Sequence, residues 1–134
     1  MLKGGVAGAI SAVLPAACGE RPLPVNTVHA HAPASAIAVG SLVIVGRSVL
    51  GRDAGGLYAM SAACTHQGCL VSVVGGPPQS LSCSCHGSTF SNTGAVTRGP
   101  ARAPLQHFQV QVDASGSVTV SDGVPVASNA RTPV

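Results

Sequence analysis

Two short stretches decide how this chain reads: ACTHQGC at residues 63–69 and SCSCHGSTF at residues 82–90. Together they hold four of the five cysteines and two of the five histidines. The first is Cys64-x-His66 with Cys69 three residues on, and the second is Cys83-x-Cys85-His86. A cysteine and a histidine two or three residues apart in a loop can both face one metal centre. Two such pairs supply four ligands. Cys69 and Cys85 are then one extra cysteine per loop, well placed to tie the loops together.

Three chemistries compete for these residues. A disulfide framework pairs four cysteines but leaves His66 and His86 without a purpose. Zinc accepts two cysteines and two histidines, yet its usual pairs are spaced Cys-x₂₋₄-Cys and His-x₃₋₅-His, and it needs no leftover cysteine on each loop. A [2Fe–2S] centre with two thiolates on one iron and two imidazoles on the other uses all six residues without remainder.

Around the two loops the pattern is that of strands and turns. GSLVIVGRSVL (40–50) is β-branched, and RDAGG (52–56) turns into LYAMSA. LVSVV (70–74) and SLSC (80–83) flank GGPPQ, a second hairpin. LQHFQVQV (105–112) alternates strictly, and DASG leads from it into SVTVS (117–121). The expected fold class is all-β and antiparallel.

Composition agrees. The chain has 134 residues, enough for one domain, with 17 Gly, 10 Pro, no Trp and only 8% charged residues. Hydrophobic residues make up 46%, which excludes a disordered, charge-rich chain. The net charge of +3 comes from singly scattered Lys and Arg, so no basic run or aromatic platform points to nucleic acid.

The first 20 residues, MLKGGVAGAISAVLPAACGE, have the order of an export signal: a basic start, a small apolar centre, a small-residue cleavage site. Cys18 after LPAA resembles a lipoprotein cleavage site, and a buried N-terminal helix is the plainer alternative. The apolar run from Gly4 to Ala17 is shorter than the roughly 20 residues of a membrane span. The expected organisation is a signal or lipoprotein-like segment (1–18), a Pro-rich linker leading into an early strand (19–36), the main domain (37–124) and a C-terminal tail (125–134).

CTHQGC and CSCHGSTF resemble the two signature boxes of Rieske iron–sulfur proteins, Cys-Thr-His-x-Gly-Cys and Cys-x-Cys-His-Gly-Ser. TGAVTRGPARAPL (93–105) resembles the family segment after the second box, including the proline loop that covers the cluster. The resemblance implies an antiparallel Rieske-type sandwich with a small cluster-binding subdomain of two loops. It further implies that Cys64 and Cys83 bind the inner iron and His66 and His86 the outer one. Cys69–Cys85 would be the disulfide of the high-potential branch. Ser88 matches a family serine whose hydroxyl points at a bridging sulfide, and Phe90 stands where high-potential members often carry Tyr. Gln67 and Ser84 depart from residues common in quinol-oxidising members.

The resemblance implies single-electron transfer by an exported protein, periplasmic or anchored to a membrane through its N-terminus or a lipidated Cys18. No nucleophile–base arrangement stands out in the sequence, so a carrier or oxidoreductase subunit is expected rather than a stand-alone enzyme; the expected partner is a redox protein, a cytochrome or an oxidoreductase subunit. The alternatives are the Rieske subunit of a cytochrome bc-type or arsenite-oxidase-like complex, and a structural zinc module. A bc-type subunit calls for an N-terminal membrane span with a hinge, which the short Gly4–Ala17 run does not match. His29, His31 and His107 read as surface or partly buried side chains rather than ligands.

Overall fold

In the computed structural model, which describes residues 26–30 and 32–134, ten strands form two antiparallel sheets. The larger sheet contains β1 (Asn26–His29), β2 (Leu42–Val45), β3 (Ser48–Asp53), β4 (Gly56–Ser61), β9 (His107–Val112) and β10 (Val118–Val126). Their order is β1-β10-β9-β4-β3-β2. The smaller sheet is β5 (Ser72–Val74), β6 (Ser80–Ser82), β7 (Thr89–Phe90) and β8 (Val96–Arg98), side by side in that order. Export signal, Cys18 and His31 lie outside the described residues. No helix among the described residues is long and apolar enough to cross a membrane.

The hairpins form where the turn chemistry asks for them. Asp53 Oδ1 accepts the Gly55 N–H at 2.9 Å and closes the β3–β4 turn. Asp113 Oδ1 accepts the N–H groups of Ser115 and Ser117 at 2.9 and 3.0 Å and closes β9–β10. Both are aspartates holding backbone two or more residues ahead, the usual reason this residue starts a turn. These bonds favour the charged carboxylate and hold the Asp113 carboxyl below its ordinary range, with the Ser115 hydroxyl the largest cause.

Period-2 alternation then sorts the side chains into two cores. Val49, Tyr58 and Met60 face the smaller sheet, where they meet Leu81, Phe90, Cys64 and Cys83. Leu50, Leu57 and Ala59 face the other way, against Val110, Val118 and Val120. Strands β3 and β4 are therefore buried on both faces. The larger sheet curls until Val28 of β1 lies against Gly46 of the β2–β3 turn, where an added Cβ would stand 3.3 Å from the valine methyls.

The early strand expected within residues 19–36 is present: Asn26–His29 pairs along β10 at the sheet edge. Two features depart from the expectation. Residues 125–134 are not a free tail. Pro125 and Val126 continue β10 past a register shift, Leu57 and Thr132 exchange backbone hydrogen bonds at 2.8 and 2.9 Å, and Arg131 binds Asp53 at 2.7 Å. The sequence gives no warning because this segment is held by backbone and polar contacts, which leave no apolar period. Finally, His107 is fully buried, 2% exposed, rather than at the surface or partly buried.

Candidate metal centre

The two signature stretches fold into the same turn. In the first, the Cys64 N–H donates to the Cys69 carbonyl at 2.7 Å and the Cys64 carbonyl accepts from Gly68 at 2.8 Å. In the second, the Cys83 N–H donates to the Ser88 carbonyl at 2.8 Å and the Cys83 carbonyl accepts from Gly87 at 3.0 Å. Gly68 and Gly87 sit at φ +77° and +81°, the left-handed region that a side chain makes costly. No neighbouring atom crowds either position, so backbone conformation alone explains the glycine. Shifting the first loop by 19 positions lays it on the second: Cys64 on Cys83, His66 on Cys85, Gly68 on Gly87, Cys69 on Ser88.

Side chains fill this doubled frame asymmetrically. Cys64 and Cys83 point inward, 3% and 2% exposed, and carry free thiols. His66 and His86 are exposed and meet edge to face, ring centroids 4.7 Å apart. Cys69 and Cys85 are joined in a disulfide that ties one loop to the other. The sulfurs of Cys69, Cys83 and Cys85 lie within 4.8 Å of one another, but two of those three are spent on the disulfide and offer no thiolate. The structure thus ties the two loops together through the disulfide, sets the free thiols of Cys64 and Cys83 in one buried core, and brings the His66 and His86 rings together at the surface. That donor set, soft and anionic inside, neutral and nitrogenous outside, fits a [2Fe–2S] group bound by two thiolates and two histidines.

Ser88 is fully buried, and its hydroxyl oxygen accepts the Ala101 N–H at 3.0 Å, which leaves its own proton free to donate. Phe90 is also fully buried and shares a core with Cys64 and Cys83. The same proline-containing stretch also meets the first loop: the Thr65 hydroxyl donates to the Ala103 carbonyl at 2.6 Å. A shallow depression beside His66 is lined by Thr65, Pro100 and Arg102.

Two residues whose role the sequence did not reveal hold the small sheet in place. The turn after β7 presents three successive carbonyls, two of them to the large sheet and one to the segment that leads into β9. Tyr58 donates its hydroxyl to Asn92 at 2.6 Å, His107 Nε2 bonds Thr93 at 2.7 Å, and the Leu105 N–H bonds Gly94 at 2.9 Å. A carbonyl only accepts, so Nε2 carries the His107 proton; Nδ1 is buried without a partner. The Arg131 guanidinium lies 4.3 Å from the Tyr58 ring centroid. Burial pushes the Tyr58 hydroxyl above its ordinary pKa, Asp53 adds to the rise and Arg131 opposes it. The signal for His107 was its place two residues from Leu105 on an alternating strand. Tyr58, on a strand apolar throughout, gave none.

Residues 24–109 match the family model described as the Rieske [2Fe-2S] domain. The chain is 35% identical over 114 residues to cytochrome b6-f complex iron-sulfur subunit 1 of Synechocystis sp., covering 82% of this chain and 61% of that one. It is 45% identical over 65 residues to the cytochrome b6-f complex iron-sulfur subunit of Synechococcus sp., covering 48% of this chain and 36% of that one. The chain therefore spans about a third to three-fifths of these relatives' length. In three dimensions it is similar to the ferredoxin of carbazole 1,9a-dioxygenase from Nocardioides aromaticivorans, with TM-score 0.50 and 24% identity, covering 73% of this chain and 97% of that one.

Proposed function

Because the chain belongs to the Rieske [2Fe-2S] domain family, we propose that it is a one-electron carrier in which Cys64 and Cys83 hold the inner iron and His66 and His86 the outer. The observation that carries this assignment is the pairing of two buried, unbonded thiols with two surface imidazoles 4.7 Å apart. When bound, the cluster supplies a one-electron couple.

The chain's own residues set its properties. Only two ligands are anionic, so two ferric ions and two sulfides are neutralised without excess negative charge, and accepting an electron costs less than at four thiolates. Centres of this type span about −150 to +300 mV, against about −400 mV for all-cysteine plant-type ferredoxins. Cys64 and Cys83, in the core, exclude water from one side. His66 and His86 present ring edges to solvent, where a partner can approach and where a proton can be held at the outer nitrogen. Ser88, with its proton unspent, is placed to donate to sulfur and favour the reduced state.

Support for an exported protein comes from the Cys69–Cys85 disulfide, a bond typical of oxidising compartments, and from the N-terminal segment. The partner in this reading is a cytochrome, reached either by a free carrier or by a subunit of a cytochrome b6-f-like complex. The second arrangement is favoured by the 35% identity that runs over 82% of the chain.

The test is iron and labile-sulfide analysis of the purified protein with electron paramagnetic resonance of the reduced state. The reading requires about two of each per chain and the low-average-g signal of histidine-bound iron. Cys64→Ala and Cys83→Ala should abolish cluster content. A colourless protein containing zinc would sink the reading and leave a structural zinc module.

A further inference from the structure

The charged side chains are sorted between the two ends of the large sheet. Strands β3 and β9 each run six residues, about 17 Å. At the end away from the signature loops lie Asp53 and Asp113, together with Arg52 and Arg131. Both arginines there are occupied: Arg131 binds Asp53, and Arg52 donates to the Ile37 carbonyl at 2.9 Å. The end that carries the loops is different. Arg47 sits in the β2–β3 turn, whose backbone carbonyl binds Ala62 at 2.9 Å, two residues before Cys64. Arg98 pairs across from Thr89, three residues after His86. Arg102 lines the depression beside His66. All three side chains are exposed, and none makes a hydrogen bond or ion pair among the described residues. Of the described aspartates only Asp122 lies toward this end, on β10 just past the Ser121–Gln109 pair and two strands over from β4, so the three arginines leave a net positive balance there.

Leu70 adds an apolar spot. It follows Cys69 directly and is 49% exposed, so the surface around the imidazoles combines a hydrophobic contact with a rim of fixed positive charge. Docking patches with an apolar centre and polar rim are the usual form of a transient interface. Guanidinium groups stay charged at any working pH and match carboxylates in bidentate fashion.

We propose that Arg47, Arg98 and Arg102 make the cluster end a cationic docking face for a redox protein whose electron-exchange site is ringed by carboxylates. The inference rests on the one-electron reading above and names the chemistry of the partner that reading requires. Opposed charges steer encounter and orient it, raising association rates by roughly 10- to 1,000-fold at low salt. Here they would present the acidic partner to the His66 and His86 edges rather than to the far end, where charges cancel.

The experiment is stopped-flow oxidation of the reduced, cluster-loaded protein by two small oxidants of opposite charge, trianionic ferricyanide and tricationic tris(phenanthroline)cobalt(III), at fixed pH and rising salt. Ferricyanide should react faster at low salt and slow as salt is added, and the cobalt complex should show the reverse trend. The triple variant Arg47→Gln, Arg98→Gln, Arg102→Gln should lose on the order of tenfold with ferricyanide at low salt while keeping its visible spectrum. Poly-L-glutamate, a mimic of an acidic protein surface, should slow oxidation of the wild type and not of the variant; poly-L-lysine should slow neither. Indistinguishable rates and salt slopes for the wild type and the variant would overturn the proposal. So would retention on anionic phospholipid vesicles that poly-L-glutamate does not displace, which would give the face to a membrane. Failure of both oxidants to react at all would instead strike the electron-carrier reading itself.

Discussion

Tyr58 and His107 stack across neighbouring strands, ring centroids 5.8 Å apart and planes 21° from parallel, and each donates to the next carbonyl along one turn. That turn, residues 91–95, belongs to the smaller sheet, and the two rings belong to the larger one. The position of the candidate metal centre over its base thus depends on polar contacts between side chains of one sheet and backbone of the other, beside the apolar core they share.

Tyr58→Phe removes the hydroxyl and leaves the Asn92 carbonyl without its donor. The cost expected is about 1–3 kcal/mol, the penalty for stranding a partly buried polar group. Denaturant unfolding followed by visible absorbance should show the loss as a lower midpoint with an unchanged slope.

The same hydroxyl makes stability depend on alkaline pH. Its folded pKa is raised above 10.0, first by burial and then by Asp53. The neutral form is the one favoured by folding, so this contribution is complete below pH 10.0 and fades as pH rises through the folded pKa. Thermal melts between pH 8 and 11 should fall more steeply above pH 10.0 for the wild type than for Tyr58→Phe. Parallel curves would remove Tyr58 as the cause.

His107→Phe should cost a similar 1–3 kcal/mol by leaving Thr93 unpaired, and His107→Gln less, since an amide can still donate. Combined with Tyr58→Phe, the two losses should fail to add, with a coupling of about 0.5–3 kcal/mol, because stacked residues on one turn share a response.

Cys69→Ser with Cys85→Ser opens a cross-link 16 residues apart in sequence. Loop-closure entropy for a loop of that size puts the loss at about 3 kcal/mol. Ligands are untouched, so the cluster should assemble and then be lost faster on heating, measured as the decay of visible absorbance.

Phe90→Tyr places a hydroxyl in the core that Phe90 shares with Cys64 and Cys83. Donation to a cysteine sulfur that becomes more negative on reduction should raise the midpoint. A bond stronger by about 1 kcal/mol in the reduced state corresponds to roughly 40 mV for one electron. Protein-film voltammetry showing no upward shift would remove the assigned role.

Much of this was legible from the chain alone, for identifiable reasons. Strand pairs joined by Asp53 and Asp113 turns announce themselves because a local side chain closes them. The signature loops do so because ligand chemistry and left-handed Gly68 and Gly87 demand particular residues at particular places. What escaped is carried by contacts far apart in sequence. Thr132 meets Leu57, Asn26–His29 meets Thr119–Asp122, and Tyr58 meets Asn92. Such contacts use backbone atoms or single hydroxyls and impose no period. His107 was misjudged for a related cause. A histidine inside a core looks like any polar residue on a strand until its hydrogen-bond acceptor, Thr93, is known.

Residues 64–68 and 83–87 are one mould cast twice, and the third position takes histidine in one casting and cysteine in the other. Ligand lettering is thereby uncoupled from backbone shape. His66→Cys with His86→Cys would leave both castings intact while pulling the site toward the strongly reducing range, about −400 mV, of all-thiolate centres. The scaffold is in that sense a socket whose voltage is chosen by its letters.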